Sequence, residues 1–288
     1  MQTHLIIGIS GQVGYALFSV LKGQNKVYGT YCNYSGDLFD NYAEPLDISN
    51  AEEVERIINT YHPDVIWLPG AITNVDFCEK NEDLSYQVNV LGVQNVVNSI
   101  KGKNCLLVFF SSDYIFDGFA GPYKEIDEPN PQNIYGKHKL LAENVVRSVW
   151  SLVIRTSWVY GPDLSGKNFV HRLVHNLSEG RKAAIRPDSS CPTYSIDLAQ
   201  CAIDVVNNGY SGIINICGPR AMDKYNWAVE IAESFGLDTD LIERDLSASD
   251  IKRPQYGGLN ISKLKQITSI QMRSFSNCVE EIKNHVGY

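Results

Sequence analysis

Gly8-Ile9-Ser10-Gly11-Gln12-Val13-Gly14 is the stretch that decides the fold. The apolar run from His4 to Ile9 reads as a buried strand, and Val13 to Leu21 reads as the helix after it. Three glycines at three-residue spacing let backbone approach a pyrophosphate where a Cβ would obstruct it. The helix start adds unpaired N–H groups and a positive dipole end. Strand, glycine turn and helix in that order are the context a dinucleotide-binding turn requires. The spacing is GxxGxxG, not the commoner GxGxxG.

Working outward, short apolar runs alternate with amphipathic stretches. Lys26–Thr30, Asp64–Leu68, Cys105–Phe110 and Leu152–Ile154 read as strands. Ala51–Thr60, Leu84–Ile100 and Asn133–Val149 read as helices. Strands apolar on both faces suit a parallel sheet covered on each side, so the series predicts an α/β fold with a doubly wound, Rossmann-type parallel sheet. After about Tyr160 the pattern changes. Gly161-Pro162 breaks the chain, and helices follow at Asn168–Leu177, Ser195–Val206 and Lys224–Phe235, with a strand at Ile213–Ile216. We expect a dinucleotide-binding domain over residues 1–157, completed by segments returning from within 183–245. A smaller α/β substrate domain occupies most of 158–288.

The chain has 288 residues, 44% of them hydrophobic, enough to bury a substantial core. Its 25 basic and 33 acidic residues give a net charge of −8, which speaks against a nucleic-acid binder driven by phosphate contacts. The seven cysteines are odd in number, scattered and without CxxC spacing, which suits reduced thiols in a cytoplasmic protein. The opening apolar run is too short for a signal peptide, and no run approaches the roughly 20 residues that span a bilayer. No HxxE, HExxH or carboxylate cluster supports a metal.

Tyr135 and Lys139 stand four residues apart on a predicted helix and so share a face. A neighbouring ammonium lowers a phenol's pKa, and a phenol so placed can protonate a carbonyl during reduction. Ser111-Ser112 ends the strand before that helix, at the sheet edge where ligands bind, and supplies a hydroxyl for the reacting oxygen. The second strand runs Val27-Tyr28-Gly29-Thr30-Tyr31 into Cys32-Asn33-Tyr34-Ser35. It has neither the acid that grips a ribose 2′-hydroxyl nor an Arg for a 2′-phosphate. NADP(H) is favoured, with NAD(H) as the alternative. Asp47, before Ile48, is a candidate contact to the adenine and equally a helix N-terminal acid.

These residues carry a resemblance over nearly the whole chain. Gly8 to Gly14, Gly70-Ala71-Ile72-Thr73-Asn74-Val75-Asp76, Ser111-Ser112-Asp113-Tyr114-Ile115-Phe116-Asp117-Gly118, Tyr135-Gly136-Lys137-His138-Lys139 and Arg155-Thr156-Ser157-Trp158-Val159-Tyr160-Gly161 are its motifs. The chain resembles an extended short-chain dehydrogenase/reductase and is most similar to the dTDP-4-dehydrorhamnose reductases.

The resemblance implies Ser112, Tyr135 and Lys139 as catalytic residues. Lys139 would also bind the nicotinamide ribose. Cofactor contacts would come from Gly8, Gly11, Gln12, Val13, Gly14, Asp47, Ile48, Gly70, Ala71, Thr73 and Ser111, with Asn89 supporting Lys139 through water. Tyr114, Trp158, Asn168 and Arg253 would meet the substrate. The pattern departs at Ser190-Cys191, where relatives carry glycine, and at Pro69, where they carry small residues.

The expected activity is NAD(P)H-dependent reduction of the C4 keto group of a nucleotide-linked 4-keto-6-deoxy sugar, in polysaccharide biosynthesis. The alternatives are a nucleotide-sugar epimerase or dehydratase that keeps NAD bound, and a non-catalytic regulatory subunit like the partner of methionine adenosyltransferase. A nucleotide sugar is the expected small-molecule partner, with no nucleic acid or membrane, and the chain is expected to be a monomer or homodimer.

Overall fold

The computed structural model describes residues 1–34, 36–247 and 251–286; Ser35, quoted above after the second strand, lies outside them. Seven strands form one sheet: β1 (Thr3–Ile7), β2 (Lys26–Tyr31), β3 (Ala43–Pro45), β4 (Val65–Leu68), β5 (Leu106–Ser112), β6 (Ser151–Thr156) and β7 (Gly212–Asn215). Their order is β3-β2-β1-β4-β5-β6-β7, with every pair parallel. This is the doubly wound, Rossmann-like arrangement. The order reverses between β1 and β4, and a crevice opens there beyond the strands' carboxyl ends.

Helices cover both faces, which is why all of β4 and β5 is buried. On one face Leu5, Ile66, Leu107 and Phe109 meet α2 (Ala51–Tyr61) and α5 (Gly92–Ile100) through Val54, Ile57, Val93 and Val97. On the other, Ile6, Trp67, Val108 and Ile154 meet α1 (Gln12–Leu21) and α8 (Ser195–Asn207) through Leu17, Leu198 and Ala202. The start of α2 shows how local chemistry sets these boundaries. The Asn50 side chain accepts from Glu52 N and Glu53 N, and both glutamates lie in the positive first turn. A further cluster of Tyr160, Val170, Leu173, Trp227, Ile231 and Phe275 joins α7 (Phe169–Ser178), α9 (Lys224–Ser234) and the helix Phe275–Val286 away from the sheet.

Element ends shift by one to three residues from the sequence reading. Elements that were not anticipated include β3, the short α3 (Val75–Lys80), the paired strands Ala183–Ile185 and Ile242–Arg244, and the helix Phe275–Val286. All but the last are too short to show a period. The long helix expected over Leu84–Ile100 begins with α4 (Glu82–Tyr86) and continues into α5, but Gln87–Leu91 between them forms a π-helical turn. Such a wider turn rotates the residues within it relative to those on either side.

Candidate active site

Three structural demands meet in the glycine turn. Gly8 has φ 97°, a conformation that favours glycine. A Cβ on Gly14 would lie 2.1 Å from Gly8 O, so α1 packs directly on the turn. A Cβ on Gly11 would come no closer than 3.4 Å to protein, so this middle glycine is not dictated by packing. Gly11 is the N-cap of α1 and has no side chain to occupy the helix's first N–H groups. The turn forms one wall of a crevice of about 730 Å³, lined by Gly8 and Gly11–Gly14, by Gly70, Ala71 and Thr73 after β4, and by Ser111, Ser112, Tyr114, Tyr135, Lys139 and Trp158.

The Tyr–Lys pair lies on α6 (Ile134–Val146), whose start is fixed by Asn133. The Asn133 Oδ1 accepts from Gly136 N at 2.9 Å and its Nδ2 donates to Lys252 O. Lys139 Nζ donates to Phe110 O at 2.7 Å and stands 4.6 Å from the Phe109 ring centroid. Burial lowers its pKa to about 8, against the pull of Glu143 one turn on. Glu143 is itself held by the Arg155 guanidinium, Nε at 3.0 Å and Nη2 at 2.8 Å.

The phenol departs from the sequence expectation. Burial pushes the Tyr135 pKa up rather than down, and the hydrogen bond with Ser112 only partly opposes this. Desolvation is the largest cause, because the ring lies in the protein with Tyr114 against it, centroids 5.8 Å apart, and the charge of Asp113 adds to it.

Ser112 is the last residue of β5. Its Oγ accepts from Tyr114 N at 3.2 Å and donates to Asp113 Oδ1 at 3.3 Å. Ser111 Oγ and, on the neighbouring strand, Thr156 Oγ1 are buried without a protein partner. Orphaned hydroxyls in a crevice that also presents an uncapped helix start fit a polar dinucleotide.

Three expected cofactor residues do not line this crevice. Asp47 is exposed and folds its carboxylate onto Ser49, accepting from both N and Oγ. The Ile48 side chain packs against the position of Gly92. Asn89 lies in the π turn and reaches Ile72 instead of Lys139. Its Oδ1 accepts from Ile72 N at 2.8 Å, and its Nδ2 donates to Ile72 O and Ser85 Oγ. It therefore braces the Ala71–Thr73 wall. Gln12 lines the crevice and also donates to Gly161 O.

Tyr114, expected to meet the substrate, also borders a second cavity of about 630 Å³ with Asp76, Phe169, Arg172, Arg186, Asp188, Lys224 and Arg253. Trp158, at φ 39°, stacks on Trp227 and faces Lys224, whose Nζ is 5.1 Å from the Trp158 ring and 4.8 Å from Phe169. Lys224 was missed by sequence reasoning. Only the fold brings the first turn of α9 against Trp158, and no local motif marks it. Burial lowers its pKa, while Asp188 raises it. Asn168 lines neither cavity; its Oδ1 caps α7 at His171 N and its Nδ2 donates to Gly161 O, so it shapes a loop.

No helix among the described residues is long and apolar enough to cross a membrane, and none of their side chains group into a three-ligand metal site. The chain is 29% identical over 298 residues to dTDP-4-dehydrorhamnose reductase of Aggregatibacter actinomycetemcomitans, covering 97% of each protein. It is 28% identical over 293 residues to methionine adenosyltransferase 2 subunit beta of Xenopus tropicalis, covering 96% of this chain and 86% of that protein. The crystal structure of dTDP-4-dehydrorhamnose reductase from Bacillus anthracis in complex with NADP superimposes with a TM-score of 0.85 at 25% identity, over 98% of each chain. The model of the RmlD substrate binding domain matches residues 1–287, and the chain belongs to that family.

Proposed function

We propose that this protein is an NADPH-dependent reductase of the C4 keto group of a nucleotide-linked 4-keto-6-deoxy sugar. The observation that carries the reading is the convergence of Ser112, Tyr135 and Lys139 on one crevice floored by the glycine turn. A nicotinamide dinucleotide bound there supplies the hydride.

The chain's own residues supply the rest. Tyr135, kept protonated by burial, donates its proton to the oxygen that becomes the alkoxide. Ser112 donates a hydrogen bond to the same oxygen as its charge grows. Lys139, tied to Phe110 O, offers its remaining N–H groups to the ribose beside the nicotinamide. Ser111 and the Gly11–Gly14 backbone hold the dinucleotide. Trp158 and Tyr114 shape the sugar end, and Arg253, Arg172 and Lys224 meet the substrate's diphosphate. In this reading residues 1–157 with β7 and α8 bind the cofactor, and the lobe around Tyr160 and Trp227 binds the sugar nucleotide.

Tyr114 favours a reductase over a dehydratase, which wants an acid at that position. The likeness to a methionine adenosyltransferase subunit supports the second reading, a regulatory partner. NADPH and NADH consumption across dTDP-, UDP-, GDP- and CDP-4-keto sugars separates the two. Turnover of one nucleotide class supports the reductase. No turnover of any, with a partner enzyme co-purifying, defeats it.

A further inference from the structure

Asp113 joins two serines from different parts of the fold. Its Oδ1 accepts from Ser112 Oγ at 3.3 Å, and its Oδ2 accepts from Ser190 Oγ at 2.5 Å. All three residues are buried. Ser190 belongs to a two-residue strand, Ser189–Ser190, that pairs with Met222–Asp223 at the start of α9. It lines neither the crevice nor the cation-bearing cavity, so it stands behind Asp113 rather than against a substrate.

A hydroxyl has one proton to give. A proton that Ser112 commits to Asp113 is not available to a substrate oxygen. Bonds to an ionised carboxylate are roughly twice as strong as neutral ones, so a buried Asp113 short of donors would hold Ser112 tightly. The bond from Ser190 answers that demand on Oδ2, with help from the Gly258 backbone. The bond from Ser112 to Oδ1 is long for an O–H donor. Gly257 keeps the arrangement close: a Cβ there would stand 3.3 Å from Asp113 Oδ2 and 2.9 Å from Ser189 O.

We propose that Ser190 is a positioning residue for the reduction: by satisfying Asp113 it leaves the Ser112 proton available to the substrate's keto oxygen. This rests on the reductase reading of Ser112. Burial pushes the Asp113 pKa up to about 6, and the bonds from Ser190 and Ser112 pull it down. The titratable groups facing Asp113 are Tyr114 on its own turn, Tyr135 on α6, Cys191 beside Ser190, and Cys217 after β7. Without the Ser190 hydroxyl the carboxylate is less favoured, so its protonation midpoint moves upward.

The test uses Ser190→Ala, Ser190→Thr, Ser112→Ala and the Ser190→Ala/Ser112→Ala double variant in the full chain. At alkaline pH, where Asp113 is ionised in both proteins, Ser190→Ala should lower kcat about 10- to 100-fold with KM within about twofold, because only a transition-state interaction is lost. Ser190→Thr should restore most of kcat. Ser190→Ala should cost nothing further in the Ser112→Ala background. Carbon-13 NMR titration of the Asp113 carboxyl, assigned through Asp113→Asn, should place its midpoint higher in Ser190→Ala than in wild type. An equal kcat loss in both backgrounds, or an unmoved Asp113 midpoint, overturns the proposal. If the wild-type protein turns over no keto sugar, the reductase reading fails, while the NMR titration still decides whether Ser190 holds Asp113.

Discussion

Arg253 reaches across 177 positions of sequence to Asp76, its Nη2 lying 2.8 Å from each carboxylate oxygen. Asp76 lies in the first turn of α3, and both residues border the cavity that opens from Tyr114. In the proposed reading, a diphosphate entering this cavity would compete with Asp76 for the guanidinium. Arg253→Ala should raise the substrate KM more than about tenfold, the scale of one charge-assisted contact. Asp76→Ala should lower KM a few-fold, since a competing carboxylate is gone. Steady-state kinetics on the two variants check the pair, and a KM that rises in both would mean the ion pair builds the site rather than competing for it.

Gly14 and the middle glycine, Gly11, should respond differently to a methyl group. Gly14→Ala places a Cβ 2.1 Å from Gly8 O and should destabilise the fold by about 2–4 kcal/mol, an overpacking cost at the upper end of the usual range. Gly11→Ala meets nothing closer than 3.4 Å and should melt within about 2 °C of wild type. Its NADPH affinity should nonetheless fall at least about tenfold, because the methyl would stand where a pyrophosphate is proposed to approach. Thermal melts and fluorescence titration of NADPH distinguish the two effects.

Lys139 is costly to bury as an ammonium. With its pKa lowered to about 8 from 10.5, folding disfavours its charge by about 3 kcal/mol at neutral pH. The unfolded chain holds this proton more tightly. Between about pH 8 and 10.5 it binds more protons than the native state, so this group's contribution makes stability rise with pH in that window. Below pH 8 the penalty is fully present. Lys139→Met should therefore stabilise the protein at pH 7 by about 1–3 kcal/mol while abolishing turnover, after allowance for the lost bond to Phe110 O. Denaturant melts at neutral and alkaline pH should show the gain shrinking as pH rises.

Tyr135→Phe should lower kcat about 10²- to 10⁴-fold and leave NADPH binding intact. The raised pKa also sets a direction. A neutral phenol is already loaded for reduction, so the forward rate should show no alkaline loss from Tyr135 near neutrality. The reverse oxidation needs the phenolate and should climb with pH across the same range. Initial rates in both directions from pH 6 to 9, roughly the span that general acid–base profiles resolve, check this.

These effects were unequally legible in the sequence. The turn at Gly8–Gly14, the four-residue step from Tyr135 to Lys139 and the serine ending β5 are local patterns, and local pattern is what periodicity records. The direction of the Tyr135 shift was not legible, because a neighbouring ammonium is visible in sequence whereas enclosure of the ring is not. Lys224 against Trp158, Arg253 against Asp76, and Ser190 on Asp113 all depend on how distant loops dock. Asn89 was noticed, but the π turn that aims it at Ile72 leaves no compositional trace.

The return of the chain to its first sheet has a practical consequence. The edge strand Gly212–Asn215 and the helix Ser195–Asn207 complete an apolar layer begun almost two hundred residues earlier. A fragment ending near residue 157 would carry β6 with a naked edge and Leu17 without its cover. Such a truncation should aggregate on expression, and engineers who want one lobe alone will have to reconnect the polypeptide in a different order.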